Sequence, residues 1–196
     1  MSRTLYCFAL LLVLGCRERP RPSGPAPSAS SAPAYRGSLF TYQPLRDGLG
    51  KLRVAAGTRV QALELRIYAD RLVLQARDPV RSNRVLEYVV RDGEVDKPVD
   101  VSLKGPGQLE DNLFSLDDVK LEAVPQLTLR ALEHVDERAG RINYVLIRRN
   151  LPVDTEVKMR VFISSPVRDG YLDADAEGRP LDDERALCGR DGGRGR

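Results

Sequence analysis

The chain is poor in cysteine and nearly devoid of histidine, with three of the first and one of the second in 196 residues. Cys7 and Cys16 fall in the first sixteen residues and Cys188 in a polar C-terminal stretch, so no internal disulfide framework is available and the fold must rest on its apolar core. His134 stands without a cluster of ligand or nucleophile residues, which leaves it as a surface or capping residue rather than part of a zinc site or catalytic triad. Long apolar runs are short in supply as well. The run from Leu5 to Leu14 is about half of the roughly 20 residues that a spanning helix requires, and Arg17, Glu18 and Arg19 end it. Gly50-Lys51 and Gly105-Pro106-Gly107 lack the spacing of a phosphate loop.

Charge of one sign is also missing from the body of the chain. Residues 37–181 hold 22 basic and 23 acidic side chains, residues 17–36 hold four Arg and one Glu, and the tail from Asp182 balances at four and four. No basic face or interleaved aromatic platform of the kind nucleic acid needs is expected, and no nucleic acid or cofactor is anticipated as a partner.

What is present begins at the N-terminus. Arg3 and the amino group precede about ten apolar residues, the length of a signal h-region, and Val13-Leu14-Gly15-Cys16 closes the run. The stretch resembles the lipobox of bacterial lipoproteins, with Val13 in the aliphatic place, Leu14 bulkier than usual in the next, Gly15 in the last small place and Cys16 in the lipidated place. The resemblance implies cleavage between Gly15 and Cys16, a diacylglyceryl group on the Cys16 thiol and a fatty acyl group such as palmitate on the new amine. Two chains already give stable anchoring at about 0.8 kcal/mol per buried methylene, so Cys16 would hold the protein on a membrane. Arg17 is not the Asp that commonly retains lipoproteins at an inner membrane, which points to the outer membrane of the cell envelope, facing the periplasm.

Residues 16–36 form the lipidated cysteine and a tether. Pro20, Pro22, Pro25, Pro27 and Pro33 sit among Ser, Ala and Gly, a composition that stays extended and reaches about 60 Å at most if fully polyproline-like. Arg17, Arg19 and Arg21 suit anionic lipid beside the anchor.

The expected fold class is α+β, a two-layer arrangement of an antiparallel sheet with packed helices, built from two helix-plus-three-strand repeats at residues 37–108 and 109–181 and followed by a polar tail at 182–196. In the first repeat Leu45, Leu49 and Leu52 recur at helical spacing; Leu63, Leu65 and Ile67 alternate as in a strand, as do Leu72, Leu74 and Ala76, and Val85 to Arg91 turns at Asp92-Gly93. In the second, Val124, Leu127, Ala131 and Val135 share a helix face after Pro125, Ile142 to Arg149 makes a strand, Val157 to Ile163 alternates, and Tyr171 to Ala176 runs into a turn at Glu177-Gly178. Asp78-Pro79-Val80-Arg81 and Ser165-Pro166-Val167-Arg168 mark the same place in both. Asp117 and Asp118 are expected to begin a helical segment after Ser115, where acids favour the positive end of the dipole.

The ending Tyr171-Leu-Asp-Ala-Asp-Ala-Glu-Gly-Arg-Pro-Leu181 resembles the last strand and turn of PepSY-type domains, small envelope modules with a helix packed on antiparallel strands. The first unit departs from it, ending Arg91-Asp-Gly-Glu-Val95. That resemblance implies a non-catalytic binding or inhibitory module, with an envelope protein or cell-wall component as partner and no catalytic residues to carry over.

One constellation suggests metal. Asp173, Asp175, Glu177, Gly178 and Glu184 fall at positions 1, 3, 5, 6 and 12 of a calcium loop. Glu177 is long for the fifth place, Pro180 occupies the eighth and no helix precedes the loop, so a solvent-facing strand end accounts for the same acids and no metal is assigned. A calcium-binding or structural envelope lipoprotein is the alternative function, and a hydrolase using Asp173 or Asp175 is a third. A groove lined by residues such as Tyr88, Tyr144 and Phe162 would favour binding, and converging acids would favour catalysis.

Overall fold

The computed structural model describes residues 38–103, 107–149, 151–153 and 155–181. Helix α1 spans Tyr42–Ala56 and turns Leu45, Leu49, Leu52 and Ala56 inward. Three strands follow: β1 at Gln61–Ile67, β2 at Arg71–Arg77 and β3 at Val85–Arg91. Asp92 and Gly93, with φ of 52° and 77°, make the tight turn into β4 at Glu94–Val95, the left-handed pair that two-residue hairpins prefer. Helix α3, at Val124–Val135 with Pro125 in its first turn, then precedes β7 at Arg141–Arg149, β8 at Val157–Ser164 and β9 at Gly170–Ala174.

The chain between the halves carries structure that the hydrophobic pattern does not announce. Strand β5 at Val99–Asp100 pairs with β3, helix α2 covers Leu109–Asn112, and β6 at Phe114–Ser115 pairs with β1. The segment after Ser115 is one 3-10 turn, Leu116–Asp118, with the Ser115 hydroxyl accepting the Asp117 N–H at 3.3 Å.

All strands join one antiparallel sheet of order β4-β3-β2-β1-β7-β8-β9. The two halves meet where β1 pairs with β7, Leu65 opposite Ile147 and Ile67 opposite Val145. Directly opposed residues of an antiparallel pair share a face, so the register assigns the whole sheet. Leu65, Ile67, Leu72, Leu74, Val145, Ile147, Met159, Val161 and Ile163 lie on one face, each at most 1% exposed. Helix α1 packs on β2 and β3, and α3 on β7, β8 and β9, covering this face. The result is the two-layer α+β architecture, dominated by its sheet. The Val124, Leu127, Ala131 and Val135 face of α3 is buried as its spacing requires.

The two matching tetrapeptides form matching turns. Each joins the second strand of its half to the third, and the first side chain accepts the N–H two residues on: Val80 N–H to Asp78 Oδ1 at 2.8 Å, Val167 N–H to Ser165 Oγ at 3.1 Å. Arg168 then donates to the carbonyls of Val135 and His134, each at 3.2 Å, capping α3. His134 itself is exposed.

Strand β9 stops two residues before the Ala176 expected from the alternation. Asp175 Oδ1 accepts the N–H groups of Glu177 and Arg179, at 3.0 and 2.9 Å, and Asp175 N–H reaches the Arg179 carbonyl at 3.0 Å. This turn draws the backbone out of the ladder and returns Leu181 N–H to the Asp173 carbonyl at 2.8 Å.

Candidate functional site

The face of the sheet opposite α1 and α3 is where side-chain chemistry gathers. Register places its residues in three rows that run across the strands. The first row is Arg91, Arg71, Tyr68, Tyr144, Phe162 and Tyr171; the second is Val89, Val73, Arg66, Leu146, Arg160 and Asp173; the third is Glu87, Gln75, Glu64, Arg148 and Lys158.

Four rings make the first row continuous. Tyr68 and Tyr144 have centroids 5.4 Å apart, Tyr144 and Phe162 stack at 4.6 Å with planes 26° apart, and Phe162 and Tyr171 stand 6.3 Å apart. Cations close both ends. The Arg71 guanidinium lies 4.0 Å from the Tyr68 ring centre and that of Arg160 lies 4.2 Å from Tyr171, each a cation–π contact.

The other rows are bound by ion pairs. Arg160 Nε and Nη2 donate to the two Asp173 oxygens at 2.6 and 2.7 Å. Glu64 is shared by Arg66, in direct contact, and by Arg148 at 3.9 Å. Gln75 donates to Glu87 at 2.9 Å. Leu146, Arg148, Lys158, Arg160, Phe162 and Asp173 line a shallow groove on this face. Across the three rows six cations face three acids, with Asp70 beside them paired to Arg71 at 3.1 Å, whereas acids outnumber bases over the remaining described residues. The sequence suggests no basic face; the fold makes one, because the near-neutral total conceals how the charges are sorted.

Three of the calcium candidates, Asp173, Asp175 and Glu177, are engaged in ion pairs with arginines. Asp173 is 6% exposed and gives both oxygens to Arg160. Asp175 holds the turn and pairs with Arg179 Nε at 2.6 Å, and Glu177 pairs with Arg179 Nη2 at 3.0 Å. Burial pushes the Asp175 carboxyl up, but the backbone and side-chain hydrogen bonds from Arg179 outweigh it and hold the group below its ordinary value. Glu184 lies outside the described residues, as do Gly15 and Cys16. Among the described residues no group of three or more His, Cys, Asp or Glu side chains is disposed to hold a metal ion, and no helix is long and apolar enough to cross a membrane.

Of the three aromatics expected to line a groove, Tyr144 and Phe162 are on the open face and Tyr88 is not. Tyr88 pairs with Leu74 on the helix side and is 2% exposed. Burial there, and then the charge of Asp78, raise its phenol above the ordinary value. Tyr68 and Tyr171, which complete the row, are the residues that a strand-by-strand reading misses. Their only signal is an out-facing place in the two-residue period.

No family model matches this chain, and no curated protein matches it in sequence. In fold it is similar to the crystal structure of a candidate lipoprotein, CD1622, from Clostridium difficile 630, with a TM-score of 0.50 and 16% identity over 74% of this chain and 96% of that one. At that identity the likeness speaks for the fold alone.

Proposed function

We propose that this protein is a lipoprotein of the bacterial cell envelope, held by acyl chains on Cys16 after cleavage at Gly15, at the outer membrane facing the periplasm. Its α+β domain is a PepSY-like binding or inhibitory module that performs no chemistry and takes an envelope protein or cell-wall component on the open face of its sheet. The lipobox-like run ending at Cys16 supports the anchor, and the fold is similar to that of a candidate lipoprotein. One observation carries the binding role: a continuous row of four rings, bounded by arginines, on a sheet face that neither long helix covers. The non-catalytic reading is favoured because Asp173 and Asp175, the acids a hydrolase would use, spend their oxygens on Arg160, Arg179 and turn N–H groups.

A photo-crosslinking amino acid at position 162, irradiated in intact envelopes, tests the site. An adduct absent from a control at position 129 of α3 is expected, and no adduct from position 162 overturns the binding role. Blocking lipoprotein signal peptidase tests the anchor. An unprocessed precursor is expected to accumulate; unchanged processing overturns lipidation at Cys16.

A further inference from the structure

We propose that the open sheet face binds an acidic polysaccharide, a flexible chain of sugars bearing carboxylates or phosphates, seated where the ring row of Tyr68, Tyr144, Phe162 and Tyr171 runs beside Arg66, Arg148 and Lys158. This rests on the reading of that face as a binding surface and gives its occupant a chemical class.

The rings select against two other polymers. Tyr144 and Phe162 turn their faces to each other at 4.6 Å, and the flanking rings stand 5.4 and 6.3 Å away. A nucleic-acid base needs an open π-face on which to stack, and here Arg71 and Arg160 lie over the terminal rings. What such a row presents outward is ring edge, which is electropositive, and the phenol hydroxyls of its tyrosines. Both favour oxygen acceptors. An acidic peptide that adds a strand needs free backbone donors, and the backbone of β1, β2, β7 and β8 is engaged in ladders on both sides. Recognition on this face therefore goes through side chains.

Charge sets the sign of the ligand. Six cations stand against Glu64, Glu87, Asp173 and the Asp70 that pairs with Arg71, an excess of positive charge over the three rows, and Glu64 is divided between Arg66 and Arg148. Arg148 keeps 54% of its side chain exposed at the rim of the groove. Closely spaced carboxylates or phosphates along one chain would meet several of these cations together, as successive contacts on a single molecule.

Shape separates a polymer from a membrane surface. Neighbouring strands rotate by about 20–25°, so six long strands accumulate roughly 100° or more of twist. A planar lipid surface touches only part of such a face, while a flexible chain follows it.

Affinity electrophoresis of the purified full-length protein through gels containing polygalacturonate tests the assignment, with neutral dextran gels as reference. Retardation by polygalacturonate alone is expected, weakening as salt is raised from about 50 to 200 mM. Arg148→Gln with Lys158→Gln should weaken retardation roughly tenfold, about 1.4 kcal/mol, whereas Arg46→Gln with Arg130→Gln on the helices should leave it unchanged. Circular-dichroism melting checks that both pairs fold; if the first pair melts early, Arg91→Gln at the exposed end of β3 replaces it, with a smaller loss expected in the same direction. Equal mobility in the two gels, or equal loss from both pairs, overturns the proposal. So does stronger retention on phosphatidylglycerol vesicles or on single-stranded DNA than on polygalacturonate. If polygalacturonate fails while position 162 still crosslinks to a protein in envelopes, the polysaccharide falls and the binding face stands; if both fail, both fall.

Discussion

Arg160 on β8 and Asp173 on β9 face each other across adjacent strands and share two hydrogen bonds, at 2.6 and 2.7 Å, on the open face of the sheet. The Asp173 side chain is 7% exposed and that of Arg160 34%, so the pair is neither a solvated surface bridge nor a dry core pair.

Arg160→Ala should destabilise the fold by about 2–3 kcal/mol, between the values for surface and buried pairs, because it leaves the Asp173 charge without its partner. At roughly 3 °C per kcal/mol for a domain of this size, thermal melting should fall by about 6–9 °C. Adding Asp173→Ala should recover part of the loss. Strictly additive effects in the double-mutant cycle would show that the two side chains are not coupled.

Two glycines should respond in opposite directions. Gly178 has φ of 76°, and a Cβ there would stand 2.4 Å from the Ala123 Cβ, so Gly178→Val should cost about 2–4 kcal/mol through strain and overpacking. Gly50 lies inside α1 with open space around it, so Gly50→Ala should stabilise by about 0.4–1 kcal/mol. Denaturant midpoints that move the same way in both variants would refute this account of the two backbones.

Acid sensitivity should trace in part to Asp136, which ties the end of α3 to the turn before β9. Its carboxylate accepts the Ser165 hydroxyl and the N–H groups of Ala139 and Arg138, which together outweigh its desolvation and hold it below the ordinary 3.8. The folded state thus favours the charged form. The stabilisation is fully present above 3.8 and is lost as pH falls through the depressed folded value. Melting temperature recorded from pH 6 to pH 2 should decline less steeply for Asp136→Asn than for the parent chain; parallel curves would count against the assignment.

Helix α3 should tolerate change on one side only. Leu127 is 1% exposed against the sheet, and Leu127→Ala should cost about 2–5 kcal/mol, whereas Leu129 is 52% exposed and Leu129→Ala should change stability by under about 0.5 kcal/mol. Urea denaturation of the two variants measures both.

The helical periods of Leu45, Leu49 and Leu52 and of Val124, Leu127, Ala131 and Val135 and the turns at Gly93 and Gly178 are local properties, and each is present in the structure where the sequence puts it. The strand alternation departs from the sequence reading in β1, where a bulge between Ala62 and Glu64 buries Ala62 in place of Leu63, and in β9, which ends at Ala174. The short elements between the halves were not legible, because β5 and β6 are two-residue strands that exist only through their partners in β3 and β1. The proposed lipid site at Cys16 rests on the sequence pattern alone.

The binding face was decided elsewhere. A two-residue period says which residues of a strand share a side, but not which side a helix will cover or which strand will lie alongside. Tyr88 and Phe162 look alike in their strands, and only the covering of one face by α1 and α3 buries the first and leaves the second on the open side. Tyr68 and Tyr144 come from different halves of the chain and meet solely because β1 pairs with β7. Sequence by itself determined the elements and the inward apolar stripes; tertiary pairing determined that the leftover charges and rings would align as three rows on one surface.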